Sequence, residues 1–388
     1  MRDRLGRVER IRRGGHSTRE AALLACDRHL RSGAQRRTGW TVARWLRQWL
    51  NGRVAIRPTT RLSHAGYIEQ FLIPHIGRLT LKEVTVPRLS EMFARIGRQT
   101  NRAGRPHTPS TLAHIRTTLR AALNAAVRDG LITDNPARHI ELPVNPRPRP
   151  VVWTPARIAA WQATGVRPRI AVWRPATLSE FLDTVRDDRL FALWWLLALR
   201  GLRRGEAAAL RWSDIDLDRG ELDVHRARTT AGYAVFEGAP KTNASRRTVA
   251  LDKHTVKVLR DHHRRQRTAG AGVWVGGGYV FTGPDGRPLH PDAITRRFAR
   301  LVAATGLPPI RLHDLRHGAA CLAHAAGADL KTIQQQLGHA TIAITADIYT
   351  IALPATQRHS AKATAKLLRK AAGVRRATKS QPHQTRDG

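Results

Sequence analysis

The sequence predicts a mainly α-helical protein with a small antiparallel β-sheet confined to its second half. Three observations predict it. Apolar residues recur at helical spacing through residues 40–128, and again in a denser pattern from Thr177 onward. Three short runs in the second half, Glu221 to Arg228, Tyr233 to Phe236 and Arg247 to Leu251, read as strands. A proline- and arginine-rich stretch, residues 143–176, separates the two halves.

Composition narrows the function before any motif is read. At 388 residues the chain is long enough for two or three domains, and 41% hydrophobic residues suffice for buried cores. The formal net charge is +38. Such an excess on a folded body favours a polyanionic partner, and nucleic acid leads because neutralising phosphates dominates its binding. A basic ribosomal or membrane-surface protein is the plainer alternative. Cys26 and Cys321 are the only cysteines, too few and too distant for a disulfide framework or a cysteine-rich zinc site. A reducing cytosol fits. Met1 to Arg13 is basic but lacks the apolar core of a signal peptide. The longest apolar run, Leu190 to Leu199, stops at Arg200, too short to span a bilayer, and reads as a buried helix.

The elements follow in order. Residues 1–39 form a basic segment, with eleven arginines against four acids by Arg37 and helical spacing from Ser17 to Leu30. Residues 40–142 read as a compact helical domain. Its first helix carries Trp40, Trp45, Leu46, Trp49 and Leu50. The second runs from Thr60 to Leu72 and ends at Pro74; the third covers Val86 to Ile96. The fourth shows one stripe of Leu112, Ile115, Leu119, Leu123 and Ala126, stopped by Gly130. Arg116, Arg120 and Arg128 lie off that stripe, as a solvated face or the lining of a DNA groove. The stretch 143–176 contains an echo: residues 147–156 (RPRPVVWTPA) return twenty residues later as 167–176 (RPRIAVWRPA). Two copies make no solenoid, so the expectation is a semi-rigid duplicated linker. From 177 to 372 a second domain is expected. Thr177 and Glu180 are spaced as a capping box. Helices are expected at Leu190–Leu199 and Glu206–Leu210, then near 252–267, 291–304, 314–326, 329–337, 341–349 and 355–370. Residues 373–388 read as a disordered polar tail.

The second domain holds an ordered set of chemically capable residues. Gly201-Leu202-Arg203-Arg204-Gly205-Glu206 joins two helices, and Arg203 on that turn, oriented by Glu206, suits a phosphate clamp; Arg204 is its rival. Lys241 lies between two expected strands, where a hairpin tip can donate a proton. His313-Asp314-Leu315-Arg316-His317 opens a helix, and the i, i+3 spacing of His313 and Arg316 lets both address one phosphate. Leu337-Gly338-His339 closes a helix, and Tyr349, one of four tyrosines, follows ten residues later. Cations converge on phosphate because its transition state spreads negative charge, and tyrosine can act as a covalent nucleophile. Singly, each has an ordinary structural reading. The order and spacing of the set outweigh those readings. Gly276-Gly277-Gly278 lacks the following Gly-Lys-Ser/Thr of a nucleotide-binding loop, and His262-His263 needs no function.

In these motifs the chain resembles the tyrosine recombinase (phage integrase) family over roughly residues 40–370, in particular integrases of actinobacterial phages and integrative elements. The resemblance implies a helical, SAM-like core-binding domain at 40–142 and a catalytic domain at 177–372 that hold DNA from opposite sides. Residues 1–39 would be the remnant of an arm-binding domain, with Gly14-Gly15 through Leu30 resembling its end. Tyr349 would attack the scissile phosphate to give a 3′-phosphotyrosyl link and a free 5′-hydroxyl. Arg203, Arg316 and His339 would stabilise the transition state, His313 would assist proton transfer, and Lys241 would protonate the leaving oxygen, with Glu206 and His317 in support. Neither cofactor, metal nor ATP is implied. The partners implied are double-stranded attachment-site DNA, a homotetramer assembled on it, and a directionality factor or DNA-bending protein, with no membrane. The setting implied is the bacterial cytoplasm, at the nucleoid. The chain departs from the family pattern at Arg200 and Ile351, where a small residue and a histidine are usual.

Other readings are a Xer-like resolvase of replicon dimers, a relaxing topoisomerase, a DNA-binding protein without cleavage, and a zinc hydrolase. The last would use His313 and His317 at i, i+4. It has Asp314 where a glutamate is usual, a cation beside the metal, and no obvious third ligand.

Overall fold

A computed structural model describes residues 39–101, 103–144, 148–240, 243–269 and 278–341, with isolated positions near residues 20 and 365. Lys241, Tyr349, the expected helices at 17–30 and 341–349, and the tail 373–388 lie outside the described residues. The chain divides into two compact units, Met1–Pro146 and Arg147–Gly388.

The first unit is helical. Its first helix, α1 (Val42–Asn51), starts where the Thr41 hydroxyl accepts from the Arg44 amide. It buries Val42, Trp45, Leu46, Trp49 and Leu50. The second helix does not end at Pro74. Pro58–Tyr67 (α2) continues through a π-helical turn, Ile68–Leu72, into Ile73–Ile76 (α3). Within that run the Ile73 amide bonds back five residues to the Ile68 carbonyl. The wider π turn just upstream accommodates a ring that has no N–H to give. Helices Val86–Arg98 (α4) and Pro109–Arg128 (α5) complete the core. The expected stripe from Leu112 to Ala126 is buried on α5, and the Trp45 indole donates to the Ala122 carbonyl at 2.9 Å. Arg116 bonds the Ile140 carbonyl at 2.7 Å rather than standing free on the surface.

The second unit begins with the echoed sequence, which is folded into it. Val151–Val152 (β1) and Ala171–Val172 (β2) pair in parallel, each residue opposite its counterpart in the other copy. Each strand leads through a tryptophan into a helix that starts at proline: Pro155–Thr164 (α6) and Pro175–Thr184 (α7). The fixed φ of proline suits the first helical position. Consequently α7 begins two residues before Thr177, with Arg174 as its cap. The expected Thr177/Glu180 capping box does not form, and Thr177 is buried inside the helix. Trp153 and Trp173 are both buried, and their indoles donate to the carbonyls of Pro309 and Pro308 at 3.2 and 2.7 Å. The repeat thus yields two successive strand–tryptophan–helix steps anchored on adjacent prolines.

The apolar run forms Phe191–Arg200 (α8), central to the core, followed by Arg204–Ala209 (α9). Fully burying each large side chain there contributes about 1.5–3 kcal/mol. A three-stranded antiparallel sheet has the order Ile215–Asp216 (β3), Glu221–Val224 (β4), Arg247–Ala250 (β7). The expected strand 221–228 is two strands in two sheets. Past Val224, Ala227–Ala231 (β5) leaves to pair with Ala234–Gly238 (β6). At the break, His225 and Arg226 both face the buried Asp214 at 3.4 Å, which turns the chain away from the first sheet. The helices Lys253–Ala269 (α10), Pro291–Thr305 (α11), Asp314–Ala325 (α12) and Leu330–Leu337 (α13) follow.

Candidate active site

The site is built around the end of one short helix. α13 terminates at Gly338, whose φ of +65° is the left-handed cap conformation. The Gly338 amide returns to the Gln334 and Gln335 carbonyls. The next three carbonyls, of Gln336, Leu337 and Gly338, have no helical partner to come. Each accepts from a different arginine. Arg247 Nε donates to Gln336 at 2.6 Å, Arg316 Nη2 donates to Leu337, and Arg203 Nη2 donates to Gly338 at 2.9 Å. The negative end of a helix dipole favours cations there. Three guanidiniums are therefore gathered by one helix end, beside the imidazole of His339.

Each arginine reaches that point for a local reason. Gly201 caps α8 with φ +63°, and a Cβ there would lie 2.6 Å from Leu337 Cδ2 and 3.2 Å from Ala319 Cβ. Only glycine permits both the conformation and this approach. Arg316, 3% exposed on the first turn of α12, bridges the ends of two helices: Nη1 donates to the Gly201 carbonyl at 2.6 Å and Nη2 to Leu337. Gly205 lets the β5 backbone approach, since a Cβ would meet the Arg228 carbonyl oxygen at 2.5 Å. Glu206, buried on α9, accepts from the Arg203 amide at 2.8 Å and from its Nη1 at 2.7 Å. Three of the five Arg203 donors are thus used among the described residues, and its side chain remains about one-third exposed (36%). Arg204, the rival, turns to α11, where it bonds Asp292 at 2.6 Å and Thr295 at 3.0 Å. Arg203 is the residue the fold delivers to the cluster.

The electrostatics of the cluster suit an anion. Burial, reinforced by Arg316 and Arg203, pushes the His339 imidazole down to about 3. Burial, then His317 and Arg316, pushes His313 down to about 4. Burial and the nearby Arg203 lower Arg316 to about 9, still charged at neutral pH. Burial alone would raise the Glu206 carboxyl, but Arg247 and Arg203 outweigh it and hold Glu206 below the usual range. Cations crowded and desolvated in this way gain from a phosphate between them. His313 caps α12, with its ring 5.2 Å from that of His317 at a near-perpendicular angle. His317 Nδ1 is buried without a hydrogen-bond partner among the described residues. Asp314 is engaged by Arg311, at 2.7 Å, rather than by the histidines. No cluster of three or more metal-ligating side chains occurs among the described residues.

Of the expected site residues, the structure brings together Arg203, Glu206, Arg316 and His339, with His313 and His317 flanking Arg316. Sequence reasoning missed Arg247 and Ser245. Arg247 was readable only as the edge of a strand, and Ser245 Oγ accepts from Arg203 at 3.3 Å.

A mainly helical unit with a small antiparallel sheet, and arginines and a histidine gathered at a helix end, is the fold of a tyrosine recombinase, an enzyme that cleaves and rejoins DNA. Residues 175–356 match the model of the phage integrase family. It is 28% identical to a putative prophage phiRv2 integrase of Mycobacterium tuberculosis over 310 residues, covering 80% of this chain and 74% of that one. It is also 28% identical to a XerC-like tyrosine recombinase of Caldanaerobacter subterraneus over 262 residues, spanning 63% of the relative's length. The fold superposes on the Tn1549 transposon integrase in complex with transposon right-end DNA, with a TM-score of 0.63 at 19% identity, covering 84% of this chain and 99% of that one. It also superposes on lambda integrase solved as a tetramer bound to a Holliday junction, with a TM-score of 0.56 at 18% identity, covering 86% and 87%. No helix among the described residues is long and apolar enough to cross a membrane.

Proposed function

We propose that this chain integrates or excises a mobile element by site-specific recombination, with Tyr349 as its nucleophile. The observation that carries this reading is the gathering of Arg203, Arg316 and His339 at the end of α13, ten residues before Tyr349. The Tyr349 oxygen attacks the scissile phosphorus, and a 3′-phosphotyrosyl bond forms as the bond to the 5′-oxygen breaks. Lys241 gives that oxygen its proton. Arg203, Arg316 and His339 donate to the non-bridging oxygens, whose charge grows in the transition state. His313 assists proton transfer by taking the phenolic proton from Tyr349 as it attacks, while Glu206 and His317 hold their neighbours in place. A free 5′-hydroxyl from a second duplex reverses the step and releases the tyrosine, so the phosphodiester is conserved and the cycle consumes no ATP.

In this reading residues 40–142 bind the core DNA site and residues 177–372 perform the chemistry. The basic segment 1–39 extends the DNA contact. Four copies assemble on two attachment sites, as lambda integrase does on a Holliday junction, and a directionality factor or DNA-bending protein biases the outcome. The enzyme works at the nucleoid in the bacterial cytoplasm, where its substrate lies. The XerC-like relative supports a second reading, the resolution of replicon dimers.

The test is to trap the covalent link. The protein is expressed with candidate target DNA, denatured rapidly and captured, and any attached DNA is sequenced. DNA on the wild type but not on Tyr349→Phe supports the assignment, and the recovered sequence separates element ends from dimer-resolution sites. Tight binding to a known site with no adduct would instead point to a DNA-binding protein without cleavage.

A further inference from the structure

The proposed mechanism leaves a buried cation beside Glu206 unused. Arg247, at the start of β7, is 6% exposed in its side chain, and it makes four hydrogen bonds. Nη1 and Nη2 fork onto the two carboxylate oxygens of Glu206, at 3.2 and 3.0 Å. Nη1 also donates to the Ser245 carbonyl at 3.1 Å, and Nε to the Gln336 carbonyl at 2.6 Å. Glu206 is the same carboxylate that binds the Arg203 amide and guanidinium. One side chain therefore touches the group that orients Arg203 and the helix end that carries His339.

We propose that Arg247 is a positioning residue for strand cleavage, setting Arg203 and His339 toward the same phosphate. The inference rests on the recombinase reading above and adds a residue to it. Glu206 carries one negative charge, buried to 2% exposure in its side chain. Were Arg203 its sole cationic partner, that charge would bind Arg203 inward and cancel the field Arg203 exerts on DNA. Arg247, 6% exposed where Arg203 is 36% exposed, supplies a second cation, so Arg203 is steered by Glu206 without being neutralised by it. Counting formal charges, three arginines against one glutamate leave two positive charges in the cluster. Removing Arg247 leaves one.

The second effect is geometric. Gly338 sits so close to Arg247 that a Cβ there would lie 3.1 Å from its Cδ and Nη1, and 2.8 Å from the Ala244 carbonyl oxygen. The loop leading to β7 and the end of α13 are thus packed backbone to backbone, with Arg247 as the bond between them. A guanidinium is required because its planar fork meets a carboxylate and a carbonyl at once. A lysine keeps the charge and loses the fork.

The experiment uses the full chain and the site recovered by trapping, made as a nicked duplex that releases its 5′-hydroxyl fragment so that cleavage cannot reverse. Single-turnover adduct formation on saturating DNA is compared for wild type, Arg247→Met, Arg247→Lys and the double variant Glu206→Gln/Arg247→Met. Each is tested with a normal scissile phosphate and with an uncharged methylphosphonate. Arg247→Met is expected to slow cleavage of the phosphate by about 100-fold, the scale on which a small misplacement acts, with DNA affinity little changed. Arg247→Lys recovers part of the rate. The double variant also recovers part, because the stranded carboxylate is gone. On the methylphosphonate, which carries no charge for Arg203 to meet, the deficit shrinks. Equal rates for wild type and Arg247→Met overturn the proposal. So does a deficit of the same size on both substrates with no recovery in the double variant, because that pattern is loss of fold. Should Arg247→Met fail to fold, Arg247→Lys decides: a deficit smaller on the methylphosphonate supports the proposal, and an equal deficit overturns it. No adduct from wild type would sink the recombinase reading and this proposal with it. A wild-type adduct alongside an unimpaired Arg247→Met sinks only the proposal.

Discussion

Two interiors of this chain are organised on opposite terms. The first unit is held by apolar burial: Trp45, Leu46, Leu72, Leu89, Ile115, Leu119 and Leu123 are nearly or wholly inaccessible, and the order of their helices follows from which stripe each must hide. The interior at the end of α13 buries Arg316, Arg247 and Glu206, the residues an apolar core rejects, and satisfies them with helix-end carbonyls. Apolar contacts are non-directional and tolerate modest change. A buried charge is tolerated only with its partners in place, so its geometry is narrow. The first interior therefore spends its residues on stability, while the second holds charges in a fixed pose for another molecule to meet.

Substitutions should separate the two. The largest effect is expected from Arg203→Ala, which removes a proposed donor to the transition state. Single-turnover cleavage should fall by about 100- to 1000-fold while the thermal midpoint moves little; a large loss of midpoint with residual cleavage intact would reverse the contrast. Leu119→Ala is the mirror case. It opens a cavity in the first unit and should cost about 2–5 kcal/mol in denaturant unfolding, leaving the cleavage rate of the folded fraction near wild type. Gly201→Ala falls within the second unit, where Leu337 and Ala319 pack beside Arg316. It forces a side chain into the left-handed region and against Leu337, costing about 1–3 kcal/mol for the conformation alone, and it should lower both stability and cleavage.

Proton linkage sharpens the same contrast. His339 and His313 lie at about 3 and about 4 in the folded protein, against about 6.5 for an unfolded histidine. Below that value the unfolded chain binds more protons. Their contribution is fully present above about pH 6.5 and is lost progressively as pH falls toward the folded values. The thermal midpoint of the free protein should drop between about pH 7.5 and about pH 5.5, and less so with DNA bound, because a phosphate favours the charged imidazoles. An identical drop with and without DNA would count against a phosphate beside them. The smallest effect is expected from Arg204→Ala. Its pair with Asp292 is partly exposed and contributes about 0–1 kcal/mol, so cleavage should stay near wild type. A loss comparable to that of Arg203→Ala would mean that the two arginines had been assigned the wrong way round.

Much of the site was legible in the chain because its chemistry demands particular residue types at particular spacings. The two glycines around Arg203 are explained by close approaches to Leu337 and to the Arg228 carbonyl, and His313 and Arg316 share a helix face as their spacing implies. Arg247 was not legible. In a chain with 67 lysines and arginines, one more arginine on a strand carries no signal until its partners are known, and those lie 41 and 89 residues away. The echo 147–176 was misleading for a different reason. Prolines mark linkers and helix starts alike, and only the parallel pairing of β1 with β2 and the burial of Trp153 and Trp173 distinguish the two.

By itself, then, the sequence determined what depends on periodicity and on side-chain chemistry: a helical protein with a small sheet, an electropositive body, and the ordered set of residues from which the proposed phosphodiester chemistry is read. Those properties are local along the chain and survive without knowledge of its path. The tertiary structure alone decided that Arg203 and not Arg204 enters the cluster, that residues 221–228 split between two sheets, and that three arginines meet on consecutive carbonyls of α13. Each of these turns on which backbone groups are left without partners once the helices have packed, a property of the folded chain rather than of any segment of it.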